Sequence, residues 1–251
     1  MNRRGQLWLL GALLGVAVFS AGLNLFLGGL LVRTYRDQLR AQIWPDTDAA
    51  WPAVSGLTNG YRRTILFLGD SRLAEWQFPA PAGARLVNAG VRRATTAQIL
   101  PAVPGLLDEF HPDTVVIEAG INDLKYLGLE PTRAEELIAH TRTNLVRVVG
   151  QCRAHDCQVW LLEVWPPTEP GWPRRVVWSP AISSAVNRLN LDLEKLPAGL
   201  AGLHVVDLFA RAGIRPGAET YRDTLHLRPE TYLRLDPVLA AELASDPVSA
   251  P

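Results

Sequence analysis

Four short segments of this 251-residue chain carry residue types that can turn an alcohol into a nucleophile: Gly69-Asp70-Ser71, Gly90, Gly120-Ile121-Asn122-Asp123 and Asp223-Thr224-Leu225-His226. A serine hydroxyl is a poor nucleophile at neutral pH. It needs a nearby imidazole to take its proton and positioned donors to hold the negative oxygen that develops. Ser71 is the candidate nucleophile, His226 the candidate base, and Asp223 the candidate acid that orients the imidazole. At a spacing of i, i+3 two side chains leave one turn in the same direction, so Asp223 and His226 can meet without help from distant segments. The remaining histidines, His111, His140, His155 and His204, read as structural.

These segments are far apart in sequence, so a fold must gather them. From Thr64 onward the pattern is strand, turn, helix, repeated. Short runs rich in Val, Ile and Leu occur at Thr64 to Leu68, Arg85 to Val87, Thr114 to Glu118, Val159 to Val164 and Leu203 to Leu208. They do not alternate polar with apolar, as expected of strands buried on both faces. Helices are expected between them, at Thr95 to Phe110, Thr132 to His155, Pro180 to Leu196 and Pro229 to Leu243. Thr132 with Glu135 fits a capping box for the second, and Pro180 after Ser179 fits the start of the third. Strands alternating with helices make an α/β fold with a parallel sheet covered on both faces. In such sheets ligands bind beyond the carboxyl ends of the strands. Ser71, Gly90 and Asn122 each follow one of the first three strands, so all three open on one edge. Asp223 and His226 precede the last helix, on a turn able to close over Ser71.

With these residues in place, the chain resembles the SGNH, or GDSL, hydrolases, a family of serine esterases and lipases, over about Thr64 to Leu243. The resemblance implies a flavodoxin-like, three-layer α/β sandwich around a parallel sheet of about five strands. It implies a catalytic triad of Ser71, Asp223 and His226, and an oxyanion hole made by the backbone N–H groups of Ser71 and Gly90 with the side-chain amide of Asn122. No cofactor and no metal is implied. One departure is Arg72, which stands where the family's name has leucine.

Ahead of this region, Leu7 to Val32 is an apolar run of 26 residues without a charge, bracketed by Arg3 and Arg4 before it and by Arg33, Arg36 and Arg40 after it. About 20 helical residues cross a bilayer. A cleaved signal has a shorter apolar core followed by a small-residue cleavage site. Here the run continues past Ser20-Ala21-Gly22, and residues 1–32 read as a membrane anchor. Basic residues at both ends leave little contrast for the loop-charge rule. Arg3 and Arg4 beside the amino terminus favour a single-pass anchor with the remainder outside the cytoplasm. Residues 33–63 read as a juxtamembrane helix fading near Ile43 and a linker punctuated by Pro45, Pro52, Gly56 and Gly60; residues 64–245 form the hydrolase domain, and 246–251 a tail.

The charge is zero overall, with residues 1 to 40 holding five Arg and one Asp, which leaves 20 basic and 24 acidic residues beyond them. That balance indicates no nucleic-acid partner. Cys152 and Cys157, the only cysteines, either close a small disulfide between a helix and a strand or remain reduced thiols. With His155 they lack a fourth ligand for a metal.

Substrate contacts are sought on the loops at the active edge. Arg72, Arg92, Arg93, Arg174, Arg175 and Arg228 fall there, and the segment Trp165 to Trp178 adds Trp172 among four prolines. Clustered cations attract an anionic substrate or are ordinary solvated loop charge, and a stiff aromatic loop stacks on sugars, lines an acyl groove or serves structural packing. Arg72, Arg92, Arg93, Trp165, Trp172, Arg174 and Arg175 are therefore the candidate substrate-binding residues. The expected activity is hydrolysis of an ester on a lipid or acylated envelope glycan. The alternative is a catalytically silent envelope module that binds glycan or protein through the same cleft. Oligomeric state is not readable from the residues.

Overall fold

The computed structural model describes residues 3–45, 51–52, 61–196 and 200–245. Most of the expected linker, residues 46–50 and 53–60, and the tail 246–251 lie outside the described residues. The chain divides into two compact units, Met1–Arg40 and Ala41–Pro251. The first is most of one helix, α1 (Arg3–Ile43). Its most apolar stretch has a mean hydropathy of 2.0 and is not buried within the protein. A helix apolar on every side and uncovered by protein has the character of a membrane span, and α1 is long and apolar enough to be one.

The second unit is an α/β fold. Strands β1 (Arg63–Gly69), β2 (Ala84–Asn88), β3 (Thr114–Glu118), β4 (Gln158–Leu162) and β5 (Leu203–Val206) make one sheet, ordered β2-β1-β3-β4-β5, in which every pairing is parallel. All of β3, five of the seven residues of β1 and four of the five of β4 are buried, while the edge strands β2 and β5 carry a larger share of half-buried positions. Burial on both faces is why the central strands show no alternation in sequence. Between the strands come α2 (Ser71–Ala74), α3 (Thr96–Ile99), α4 (Val103–Phe110), α5 (Ile121–Leu124), α6 (Ala134–Ala154) and α7 (Ala181–Leu193), and after β5 come α8 (Leu208–Arg211) and α9 (Pro229–Ala244). One sheet face, with Phe67, Val116 and Trp160, packs with Trp76, Trp165 and the α9 residues Leu235 and Leu239. Packing in this unit begins ahead of β1: the Trp44 ring meets Tyr126 edge-on at 5.8 Å, and Thr95 Oγ1 donates to Gln42 O at 2.6 Å.

Two helix expectations need correction. The stretch Thr95 to Phe110 is not one helix but α3 and α4, joined by the 3-10 turn Leu100–Ala102. Pro101 and Pro104 each lack an N–H and crowd the turn before them, and the capping box sits on Thr95 and Gln98. At α6 no box forms from Thr132 and Glu135. Thr132 lies in the 3-10 turn Pro131–Arg133, α6 starts at Ala134, and Glu135 Oε2 accepts from Arg188 at 2.7 Å. At α7 the Ser179 hydroxyl oxygen accepts from Ala181 N at 3.2 Å.

Cys152 and Cys157 are free thiols, both buried. Burial pushes them up to about 12 and about 11, and Cys157 Sγ donates to Pro112 O at 3.0 Å. Thiols held so far from ionisation are poor nucleophiles.

The strand order reverses between β1 and β3, and the carboxyl ends of β1, β2 and β3 share one edge. A doubly wound sheet places its crevice there. The close approach at that point needs glycine: a Cβ on Gly69 would stand 2.1 Å from the Glu118 carbonyl oxygen on the neighbouring strand. Backbone cannot yield as a side chain tip does, so Gly69→Ala is expected to destabilise the fold by about 3 kcal/mol. Thermal denaturation of the variant checks this.

Candidate active site

Each edge segment acquires its position from local chain chemistry. Leaving β1, Asp70 caps α2: its Oδ1 accepts the N–H of Arg72 at 2.9 Å. Ser71 is therefore the first residue of a helix, where the backbone N–H has no intrahelical acceptor. After β2, Gly90 lies against the end of α2, and a Cβ there would stand 2.4 Å from Ala74 N. Its own N–H donates to Asn88 Oδ1 at 2.9 Å, while Asn88 Nδ2 donates to Leu73 O at 2.7 Å. Asn88 thus closes the carboxyl end of α2 and holds Gly90 beneath it. After β3, Gly120 takes a φ of 124°, a conformation that suits glycine. The chain then enters α5, which carries Asn122.

Asn122 is buried, and its Nδ2 donates to Asp70 Oδ2 and to Ala94 O, both at 3.0 Å. Asp70 thereby joins the Ser71 turn to α5. Asp123 faces away and accepts from Thr96 Oγ1 at 2.6 Å and from Thr96 N at 3.0 Å. Burial lifts its carboxyl to about 6 against those two donors.

The fourth segment folds on itself. Tyr221 and Leu227 form an antiparallel bridge, and Arg222 N donates to His226 O at 2.9 Å. Asp223 Oδ1 accepts the N–H groups of Leu225 and His226 at 2.8 and 2.9 Å, and its Oδ2 lies 2.8 Å from His226 Nδ1. Burial alone would raise this carboxyl; the backbone donors of His226 and Leu225, with the imidazole, outweigh it and hold Asp223 at about 2. An ionised carboxylate only accepts, so the proton of a neutral His226 resides on Nδ1 and Nε2 is left as the acceptor. Nε2 is 3.1 Å from Ser71 Oγ. The structure thus brings Ser71, His226 and Asp223 into one hydrogen-bonded line, with Asn122 one carboxylate away through Asp70.

Beneath that line is a charge network that motif spacing does not reveal. Arg72 and Glu118 form an ion pair at 3.1 Å, with the Arg72 side chain 1% exposed and that of Glu118 0% exposed. Burial drives Glu118 up, and the neighbouring Asp70 adds to the rise while Arg72 opposes it; burial raises Asp70 as well. Two buried carboxyls share one guanidinium, which burial lowers but Glu118, Tyr221 and Asp70 raise further, so Arg72 keeps its charge. The sequence signal for Glu118 is an acid closing an otherwise apolar strand.

The candidate substrate residues separate. Two are corrected: Arg72 and Trp165 are buried and face no solvent-borne ligand, because Arg72 pairs with Glu118 and Trp165 stacks on Phe209 with ring centroids 5.4 Å apart. Arg92 pairs with Glu75 at 2.8 Å, and Glu75 also accepts from Arg222. Arg175 donates to Pro170 O at 3.0 Å and Arg228 to Ala218 O at 3.0 Å. Trp172 is 82% exposed. With Arg174, Arg222, Arg228 and Thr168 it lines a cavity of about 440 Å³ that reaches Asp223. Arg93 is exposed in a left-handed conformation, φ 67°. Lys125, one turn beyond Asn122, is a further cation of this edge. Burial lowers it to about 8, with Arg174, Arg93 and Arg72 acting in the same direction and Asp70 against them.

The sequence profile of the GDSL-like Lipase/Acylhydrolase family matches residues 56–234. No curated protein sequence matches the chain. Among solved structures, the chain is similar to a catalytic mutant of an acetylxylan esterase from Geobacillus stearothermophilus, at 14% identity and a TM-score of 0.57 over 76% of this chain and 98% of that one. It is similar to a GDSL-like lipase from Bacteroides thetaiotaomicron, at 16% identity and a TM-score of 0.56 over 84% and 96% of the two chains. A lipase/acylhydrolase from Enterococcus faecalis matches at 22% identity and a TM-score of 0.52, over 72% and 95%. At these identities the likeness is one of fold.

Proposed function

The chain belongs to the GDSL-like lipase/acylhydrolase family, and from that premise we propose that it is a serine esterase cleaving carboxylic esters through Ser71, His226 and Asp223. The observation that carries the proposal is the 3.1 Å contact between Ser71 Oγ and His226 Nε2. As Oγ attacks the ester carbonyl carbon, its proton passes to Nε2, the carbonyl electron pair moves onto oxygen, and Asp223 steadies the imidazolium. The alkoxide collapses, the C–O bond to the alcohol breaks, and His226 returns the proton to the departing oxygen. Water then attacks the acyl-enzyme by the same route in reverse. The alkoxide faces the N–H of Ser71, the N–H of Gly90 and the amide of Asn122. In the resting geometry Gly90 donates to Asn88, and Asn122 to Asp70 and Ala94. To serve the alkoxide, the Gly90 N–H and one Asn122 amide hydrogen must turn from these partners or be shared with them as charge develops on the oxygen.

The test uses the whole protein in detergent. A fluorophosphonate probe is expected to label Ser71, identified by peptide mass, and p-nitrophenyl acetate is expected to be hydrolysed. Folded protein that does neither overturns the assignment.

The physiological ester belongs to a lipid or an acylated glycan of the cell envelope. This rests on α1 serving as a single-pass membrane anchor for a hydrolase outside the cytoplasm. Among the described residues Arg93, Lys125 and Arg174 have no carboxylate within ion-pair distance, whereas Arg72, Arg92 and Arg222 each have one. Unneutralised cations favour an ester that carries an anion. A carboxylate-bearing acetyl sugar is expected to be hydrolysed several-fold faster than its neutral counterpart. That advantage shrinks as salt rises from about 0.05 to 0.5 M and shrinks in Arg174→Gln. Equal rates for the two sugars at low salt would remove the steering role.

A further inference from the structure

We propose that Arg72 is a positioning residue that fastens the His226 turn to the Ser71 turn. The inference rests on the esterase reading and concerns a residue that cannot reach substrate, since Arg72 is buried with 0% exposure. Its side chain makes three directed bonds to three separate segments. Nε donates to Leu225 O at 3.1 Å, and Nη1 donates to Trp165 O at 2.7 Å and to Glu118 Oε1 at 3.1 Å. Its backbone is held as firmly: Arg72 N donates to Asp70 Oδ1 at 2.9 Å, and Arg72 O accepts from Tyr232 Oη at 2.8 Å.

The geometry makes the guanidinium a tie across the site. Leu225 lies between Asp223 and His226 in the chain, and its N–H is already bound to Asp223 Oδ1. Pulling on its carbonyl therefore sets the height of the whole turn. Arg72 directly follows Ser71, so the anchor point of that pull moves with the nucleophile. Further links from this turn to the body include Thr168 N to Thr224 O at 2.9 Å, Thr168 Oγ1 to the carbonyls of Asp223 and Thr224 at 3.5 Å, Tyr221 Oη to Pro166 O, and the exposed pair of Arg222 with Glu75. Arg72 is the link whose other end follows Ser71 directly in the chain. Leucine at this position would supply no donor, and lysine would supply a point charge without the planar fork. A misplacement of about 1 Å between reacting groups costs about 10²-fold in rate.

Three variants of the full chain separate positioning from mere stability: Arg72→Met, Arg72→Lys, and the double variant Arg72→Met with Glu118→Leu. Arg72→Met leaves a buried carboxylate without its cation and is expected to melt early. The double variant removes both charges of the ion pair and leaves Asp70 its donors Arg72 N and Asn122 Nδ2, and replacing a buried pair by apolar groups is often neutral for stability. Its melting temperature is expected to return toward wild type. Its kcat on p-nitrophenyl acetate is expected to stay down by about 10²-fold, with KM changed by less than about threefold and the fluorophosphonate labelling rate of Ser71 down in step. Arg72→Lys retains charge beside Glu118, keeps the protein folded, and is expected to lose about tenfold or more in kcat.

Recovery of kcat together with melting temperature in the double variant, or wild-type kcat in Arg72→Lys, overturns the positioning role. Wild-type protein that neither hydrolyses the ester nor takes the label would sink the esterase reading instead, so the two failures are told apart.

Discussion

Ser71→Ala is expected to lower kcat for ester hydrolysis by about 10⁴- to 10⁶-fold while leaving the melting temperature nearly unchanged. The size follows from what the hydroxyl alone supplies. His226 Nε2 is directed at Ser71 Oγ, and alanine leaves the base with nothing to deprotonate but water. Stability is spared because Ser71 opens a short helix in which alanine is well tolerated, and only one hydrogen bond to a partly exposed ring is lost. His226→Ala should lose about as much, and the double variant hardly more, since members of one relay are not additive. Pre-steady-state measurements with excess p-nitrophenyl acetate check the point through the burst of nitrophenol: wild type shows it and Ser71→Ala does not. Ser71→Ala retaining the wild-type rate would remove Ser71 as nucleophile.

Asp223→Asn is expected to lower kcat by about 10⁴-fold with the fold intact. The carboxylate accepts three N–H groups: those of Leu225 and His226 on Oδ1 and the imidazole on Oδ2. Asparagine keeps one acceptor oxygen, which the two backbone donors claim. Its amide N–H₂ is then turned toward Nδ1 and selects the tautomer protonated on Nε2. That imidazole donates toward Ser71 and cannot take its proton.

A second consequence concerns acid. The Asp223 carboxyl is held at about 2, below its ordinary 3.8. A depressed folded value contributes stability that is present above the unfolded value and is lost as pH falls through the folded one. The contribution of Asp223 is therefore complete above about pH 4 and fades toward pH 2. Asp223→Asn should flatten the acid limb of stability in that window, which urea unfolding across pH measures. An unchanged acid limb would mean that the three donors do not favour the ionised form.

The legibility of this protein in its sequence depends on the range of the interaction concerned. Strand positions were readable because burial on both faces selects runs of Val, Ile and Leu, as in Thr114–Glu118, whatever lies beyond them. The pairing of Asp223 with His226 was readable because three residues of one turn suffice. Helix interiors were read more easily than their ends: Pro101 and Pro104 divide one expected helix, and Thr132 loses its capping place to a 3-10 turn. Such endings are settled by competition among small local terms.

Arg72 marks the limit. From its place beside the nucleophile it reads as a cation for substrate, yet it is consumed by Leu225, 153 positions away, by Trp165, 93 away, and by Glu118, 46 away. Trp165 is taken into the core in the same way. By itself the sequence determined a parallel α/β sheet and which strand ends carry Ser71, Gly90 and Asn122, because those are properties of contiguous residues. Only the tertiary structure decided which polar groups are engaged by others: the Gly90 amide by Asn88, the Asn122 amide by Asp70 and Ala94, and the Arg72 guanidinium by the turn that carries His226. Hydrogen bonds act over about 3 Å, and no local pattern records which distant carbonyl will arrive within that reach.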